Sequence, residues 1–563
     1  MIIPARPSGL ATLNQIRPWL VRHPVWTLTL VMLVWLGPFL AKPFNIDDPL
    51  FIFVAHQIQS HPANPYGFNV EWGWTQFPMW KVTENPPLAG YYLALAGAML
   101  GWSEMALHFA FLLPALAVGW GTHRLARHFC HQPLLAALAA VFTPVFLVSA
   151  STIMCDVLML AFWVWAAALW LEGTKADDPH RLWAAALLVA AAEMTKYYGA
   201  SLIPLLAAYS LANRHQFRRW GACLLIPLAV LCVYQCATQS LYGSSLLYGA
   251  ADYAQFSQSL FGHPLVATSL TALTFTGGCL AVVVFCSPWL WRTRTLILIA
   301  GVAILMTAIV VSDGALLKNF RGIPVASLPL VKTQIIFWAV GGICVLILAI
   351  ADFIHHRNAE ALLLALWVLG TFFFAGFINW TINARSLLPM APAVGILIGR
   401  RKEQNELSGH QARPALLTIS LVASATLAFL VAQADFQLAN AVRQCAREAA
   451  GQMEPAGTTW FQGHWGFQYY MQSFGASPLD LKSSPLKPGA TVLIPSNNTN
   501  LLPLKPERAE LREIITAPGP SWLATLCQPA GAGFYSAIWG PLPFAVGRVP
   551  PESVSVYVLR LSR

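Results

Sequence analysis

Residues 155–172 read Cys155-Asp156-Val157-Leu158-Met159-Leu160-Ala161-Phe162-Trp163-Val164-Trp165-Ala166-Ala167-Ala168-Leu169-Trp170-Leu171-Glu172. From Val157 to Leu171 no side chain is charged, and an acid stands at each end. A helix that is apolar on every side suits lipid or a deep core, not a water-facing surface. The same texture recurs near residues 25–41, 104–122, 133–150, 155–171, 181–195, 197–212, 220–240, 264–290, 295–311, 333–354, 359–378, 386–399 and 415–433, with short charged or proline-containing breaks between. These runs predict an all-α polytopic membrane bundle of about thirteen transmembrane helices. A further apolar run at 86–101 follows Asn85-Pro86-Pro87 and reads as a helix lying against the membrane, with an extra span as the alternative.

The composition agrees. Of 563 residues, 57% are hydrophobic and 10% charged, with mean hydropathy +0.57, against about 25% charge in soluble domains. Such a chain is not disordered, not a disulfide mini-protein and not a nucleic-acid binder. Its net charge of +10 comes from short Lys/Arg clusters between apolar runs. With the N-terminus in the cytoplasm, seventeen of these cations fall on inner segments and seven on outer loops, as the positive-inside rule requires. Met1–Arg22 is basic and lacks a small-residue cleavage pattern, so it leads into an uncleaved first span. The chain therefore divides into a membrane domain, 1–433, which includes a long outer loop at 42–87, and a C-terminal region, 434–563, expected outside. That region is rich in Pro, Gly and polar residues and carries strand-like runs at Thr491–Ile494 and Val554–Leu559, which fit a small α/β soluble domain. Cys445 and Cys527 fall within it, and an oxidising compartment could pair them or leave them free.

Chemistry-bearing residues gather on the predicted outer side. The first outer loop opens with Asn45-Ile46-Asp47-Asp48-Pro49. Asp48 followed by Pro49 reads as a helix N-cap, which leaves Asp47 as a carboxylate at the mouth of an apolar bundle, suited to general-base work. The loop closes on Glu84-Asn85-Pro86-Pro87, where two prolines stiffen the turn; Glu84 is a solvated loop acid or a ligand for a metal or a hydroxyl. Asp156 opens its helix at the outer end, either answering the helix dipole or serving a site. Lys196 and Arg385 stand at outer boundaries where cations are uncommon, either snorkelling or gripping a phosphate. Together these groups make a candidate site for an anionic, membrane-held substrate. The histidines lack metal-ligand spacing, and a divalent metal ion enters only as an option at Glu84.

These residues resemble the GT-C superfamily of polyprenyl-phosphate-sugar-dependent glycosyltransferases, especially the protein O-mannosyltransferase-like branch (glycosyltransferase family 39) and the lipid A aminoarabinose transferases. The resemblance spans about residues 20–400. It is carried by Asp47-Asp48, Glu84-Asn85-Pro86-Pro87-Leu88, Ser103-Glu104-Met105-Ala106-Leu107-His108, Asp156, Thr195-Lys196-Tyr197 and Arg385-Ser386-Leu387-Leu388-Pro389. It implies a sugar transferred with inversion from a polyprenyl-phosphate carrier to a hydroxyl acceptor, at the periplasmic face of a bacterial inner membrane. Asp47, Asp48 and Asp156 are then the catalytic candidates, and Lys196, Arg385, Glu84, Asn85 and Tyr197 hold the lipid phosphate and donor. The chain departs from the family where Asn85 replaces a usual Lys, Arg or His and Ser386 a usual Tyr. The rival reading, a transporter or flippase of a lipid-linked or anionic solute, calls for internal pseudo-symmetry and helices broken at the midplane, and the sequence carries neither signal.

Overall fold

The computed structural model describes residues 22–83, 85–213, 220–262, 264–312, 322–409, 413–453 and 459–560. The N-terminal segment Met1–Val21, expected to lead into the first span, lies outside them. Among the described residues six helices are long and apolar enough to cross a membrane: Glu104–Ala126, Cys155–Ala176, Gly221–Tyr242, Val325–His356, Ala359–Ile378 and Pro414–Ala450. Two expected spans are bent pairs instead. The run at 133–150 divides into Pro133–Val141 and Pro144–Ala150, turned by 67°, because Pro144 cannot continue the preceding ladder and Thr143 Oγ1 caps the new helix by accepting from the Phe146 amide. The run at 264–290 divides into Leu265–Cys279 and Val282–Leu290 with an 81° bend, just past the Gly277-Gly278 pair. Shorter apolar helices, among them Pro24–Phe39, Tyr197–Ala212 and Thr293–Ala308, stand where further spans were expected, so among the described residues six helices, or eight spans if each bent pair counts as one, reach the length and apolarity of a crossing, against the thirteen expected. The helix Leu88–Leu100 has 13 residues, about 20 Å at the usual rise and short of the bilayer core.

The helix quoted at the outset lies at the centre. Trp163, Trp170, Val164, Ala167 and Leu171 on Cys155–Ala176 are fully or almost fully buried, so this run meets protein on most of its circumference. Elsewhere glycines let backbones touch. A Cβ on Gly277 would sit 1.9 Å from the Trp338 carbonyl oxygen, and one on Gly342 2.1 Å from that of Leu273. The helices Leu265–Cys279 and Leu328–His356 therefore pack through small residues, the usual device where no hydrophobic effect drives helices together.

The C-terminal region holds a five-stranded sheet in the order Ser477–Pro478, Thr459–Phe461, Thr491–Pro495, Glu552–Leu559, Ala509–Ala517. Its first three strands are parallel and the last two pairings antiparallel. Helix Trp465–Ser473 makes the crossover between the first two strands in the chain. Both strand-like runs in the sequence are strands. The sheet packs through Phe461, Leu493, Val554 and Val556 on Ala441, Cys445 and Ala449, which belong to the 37-residue helix Pro414–Ala450. That helix passes residue 433 without a break. Cys445 and Cys527 are buried free thiols, not a disulfide.

One ion pair ties these parts together. Lys42 Nζ lies 2.5 Å from Asp435 Oδ2, and both side chains are wholly buried. Thr525 and Tyr535 donate to the same carboxylate at 2.7 and 2.8 Å, and Lys42 also reaches Ser151 at 3.4 Å. Removing one member of such a pair leaves an unanswered charge, at about 3–5 kcal/mol, whereas an apolar replacement of both is far milder. Lys42→Met alone should therefore lower thermal stability in detergent sharply, and Lys42→Met with Asp435→Leu should recover most of it; equal losses in both would show the pair to be incidental. Gly277→Val should cost at least about 2 kcal/mol by overpacking, read in the same thermal assay.

Candidate active site

Between the segment 42–87, the neighbouring helix ends and the C-terminal domain lies a cavity of about 870 Å³. Its wall includes Asp47, Lys81, Asn85, Lys196, Tyr197 and Arg385.

The acidic turn is built tightly. Ile46 holds a left-handed backbone, φ 51°, a strained conformation for a β-branched residue. Asp48, not Asp47, faces inward. Its Oδ2 accepts from the Asn45 amide at 3.0 Å and its Oδ1 from the Ile153 amide at 3.1 Å. Burial pushes its carboxyl up to about 7, opposed by Lys42 and the two amides. The helix Asp48–Ser60 begins one residue earlier than expected: Asp47 occupies the N-cap position without a side-chain capping bond, and Asp48 stands in the first turn. Asp48, grouped with the catalytic candidates from sequence, is therefore absent from the cavity wall, because its oxygens are spent on the backbone amides that pin the turn to the 153 segment. Asp47 is left to point outward, about a quarter exposed.

Arg385 receives it. Arg385 Nη2 donates to Asp47 Oδ2 at 3.0 Å, and its Nη1 lies 3.8 Å from Asp156 Oδ2. The other Asp156 oxygen accepts from Lys196 Nζ at 2.6 Å. Asp156 is buried behind the wall, so it sets the two cations that face the cavity. Each is aimed by local structure. Lys196 is an extended residue in the break between Pro179–Thr195 and the turn Tyr197–Ser201. Arg385 rides a single helical turn, Ala384–Leu387, whose Asn383 cap accepts from the Ser386 amide at 2.9 Å. The Arg385 guanidinium also lies 5.5 Å above the Tyr535 ring.

The remaining expected residues fall as follows. Asn85 lines the cavity and uses its backbone carbonyl to accept from Tyr66 Oη at 2.7 Å. Tyr197 lines it too. Glu84 lies outside the described residues. Among the described residues no three His, Cys, Asp or Glu side chains gather as a metal site, and Asp47 and Asp156 are each matched to a cation.

Sequence reasoning missed part of the wall. Tyr535, Ser536, Ile538 and Trp539 of the C-terminal domain close the cavity, and Trp539 packs at 5.6 Å on Trp465, which adopts φ 62°. The sequence run Gly463–Tyr470, which reads either as a patch packing on the bundle or as an acceptor contact, divides between packing and cavity: Phe467 and Tyr470 are buried, while Trp465 lines the cavity. Lys81 adds a third cation to the wall, set over the Trp80 ring at 5.1 Å. Its nearness to the Glu84-Asn85 turn was the available signal.

Residues 84–238 match the family model described as dolichyl-phosphate-mannose-protein mannosyltransferase. No curated protein matches the sequence. Among solved structures the chain is similar to the Archaeoglobus fulgidus oligosaccharyltransferase tethered with an acceptor peptide, at 12% identity and TM-score 0.45 over 82% of this chain and 64% of that one. It is likewise similar to the same organism's oligosaccharyltransferase AglB in complex with an inhibitory peptide and a dolichol-phosphate, at 12% identity and TM-score 0.48 over 82% and 65%. It spans less than two thirds of the length of both. Against ArnT from Cupriavidus metallidurans bound to undecaprenyl phosphate the identity is 13% and the TM-score 0.41, over 96% of this chain and 98% of that one. At the level of sequence, the resemblance to polyprenyl-phosphate-sugar-dependent glycosyltransferases is thus carried by the domain matched over residues 84–238.

Proposed function

We propose that this chain is an inverting glycosyltransferase that moves a sugar from a polyprenyl-phosphate carrier to an acceptor hydroxyl at the periplasmic face of a bacterial inner membrane. In this reading residues 1–433 hold the reaction and 434–563 form a periplasmic domain that roofs it. The observation that carries the proposal is that Asp47, the expected base, shares one cavity and one ion network with Lys196 and Arg385, the expected phosphate ligands.

The chemistry follows from that network. The acceptor oxygen attacks the anomeric carbon on the face opposite the carrier, and the bond from that carbon to the phosphate oxygen breaks. Asp47 takes the hydroxyl proton, a role that supplies about 10²–10⁴-fold in rate. Lys196 and Arg385 receive the charge that develops on the leaving phosphate, each worth a few kcal/mol in a poorly hydrated site. Arg385 also links the two events. Its guanidinium donates to Asp47, and a leaving phosphate at the same guanidinium competes for that contact and frees the carboxylate toward the acceptor. Asp156 is the positioning residue that fixes both cations.

Asp47→Asn should abolish release of free polyprenyl phosphate from a polyprenyl-phosphate-sugar, by at least about 100-fold, with the purified protein still folded; near-normal turnover would remove Asp47 from the reaction. Lys196→Ala should raise the KM for the lipid donor more than it lowers kcat, and unchanged donor saturation would assign Lys196 a structural role only.

A further inference from the structure

Two sequence runs that the proposed reaction does not use, Ser103–His108 and Gly463–Tyr470, meet behind the acidic turn. Glu104 opens the helix Glu104–Ala126, and its carboxylate takes two donors from beyond residue 433, the Tyr470 hydroxyl and Arg443 Nη1. Arg443 is held in turn by Asn440, whose Oδ1 accepts from Nη2 at 2.9 Å. With its proton committed to Glu104, the Tyr470 oxygen is left to accept, and it accepts from the Phe44 amide at 2.9 Å.

The other groups of Phe44 are gripped too. Its carbonyl faces Gly466: a Cβ there would sit 2.2 Å from the Phe44 oxygen and 3.2 Å from the Asn45 Cα, so the approach requires glycine. Its ring stacks on His108 at 6.0 Å and meets the Tyr469 ring edge-on at 5.2 Å. His108 Nδ1 donates to the Glu104 carbonyl at 2.8 Å, which returns the grip to the same helix start.

Two residues after Phe44, Ile46 keeps its left-handed backbone, and Asp47 follows it. A β-branched residue holds that conformation only where its surroundings impose it. On one side the turn is pinned by the Asp48 carboxylate, which accepts from the Asn45 and Ile153 amides. On the other side the constraint is the grip on Phe44, and it comes from Glu104 and the helix Trp465–Ser473. Such bracketing matters for a base, because a displacement of about 1 Å costs about a hundredfold in rate.

We propose, on the reading that Asp47 is the base, that Tyr470, Gly466 and Glu104 are positioning residues that aim it: the C-terminal domain that roofs the cavity also fixes the turn from which Asp47 projects. Two measurements on the full-length protein in detergent test this. The first is release of free polyprenyl phosphate from a polyprenyl-phosphate-sugar. Tyr470→Phe, which keeps the ring and removes the bridging hydroxyl, should lower kcat about tenfold with the donor KM unchanged. It should add no further loss to Asp47→Asn, because residues that act through one group are not additive. The second needs no turnover: carbodiimide coupling of an amine to carboxylates, read by peptide mass spectrometry. A loosened turn takes Asp47 off Arg385, so coupling at Asp47 should run about threefold or more faster in Tyr470→Phe, the value of one hydrogen bond, with the exposed Glu510 as an unaltered control. Glu104→Gln, which removes the charge that holds Arg443, should move both readouts in the same direction and decides the matter if Tyr470→Phe fails to fold. Unchanged kcat and coupling, a kcat loss that adds in full to that of Asp47→Asn, or a coupling rise shared by Glu510 would each overturn the proposal. If the unsubstituted protein releases no polyprenyl phosphate while coupling at Asp47 still responds to Tyr470→Phe, the transferase reading falls and the aiming of Asp47 by Tyr470 stands.

Discussion

Lys42 and Asp435 meet with no access to solvent, and the molecule is arranged around their contact. The lysine comes from the start of the segment 42–87 and the aspartate from the long helix Pro414–Ala450, 393 positions apart. A charge pair in such surroundings is stable only when its remaining hydrogen-bonding capacity is met. Thr525 and Tyr535 meet it here, and both belong to the C-terminal domain. The loop that carries Asp47, the helix and the domain are thereby fixed to one point. Tyr535 then passes that constraint on: its hydroxyl serves Asp435 and its ring underlies Arg385, so the structural pair and the Asp47 network share a residue.

The cavity follows a second economy of charge. Asp47 and Asp156 offset Arg385 and Lys196, with Arg385 spanning the two acids. A guanidinium can do this because its donors fan out in a fixed plane, whereas an ammonium is a single point. Lys81 adds a further positive charge on the wall. With Lys81 counted, the wall and the acid behind it hold three cations against two acids, an excess of one that suits an anionic group.

Much of this site was legible in the sequence because charge at a membrane boundary is costly. Asp47, Asp156, Lys196 and Arg385 each stood out against an apolar background, and the structure brings all four together. The two members of the acidic pair were harder to separate. Their order along the chain says nothing of which carboxylate turns toward the Asn45 and Ile153 amides, and that choice depends on a segment 105 residues away. Lys42 passed as an ordinary loop cation for the same reason: its partner is remote in sequence. The bundle itself followed from apolar runs, but apolarity carries no record of direction, so the bends after Val141 and Cys279 were invisible to it, although Pro144 offered a hint at the first. The contribution of Tyr535 and Trp539 to the cavity left no local pattern at all.

The helix Pro414–Ala450 has 37 residues, or about 55 Å at the usual rise, well beyond the roughly 30 Å of a bilayer core. Its last third is thus a mast that carries the sheet domain on its tip side, while Asp435 is anchored lower down. A rod of this length resists bending over a few turns, so the roof cannot flap on a loose tether. Any widening of the chamber beneath it has to come from the smaller pieces around the rim, above all the helix Leu246–Phe261, which lends Leu247, Ala250 and Tyr253 to the cavity wall.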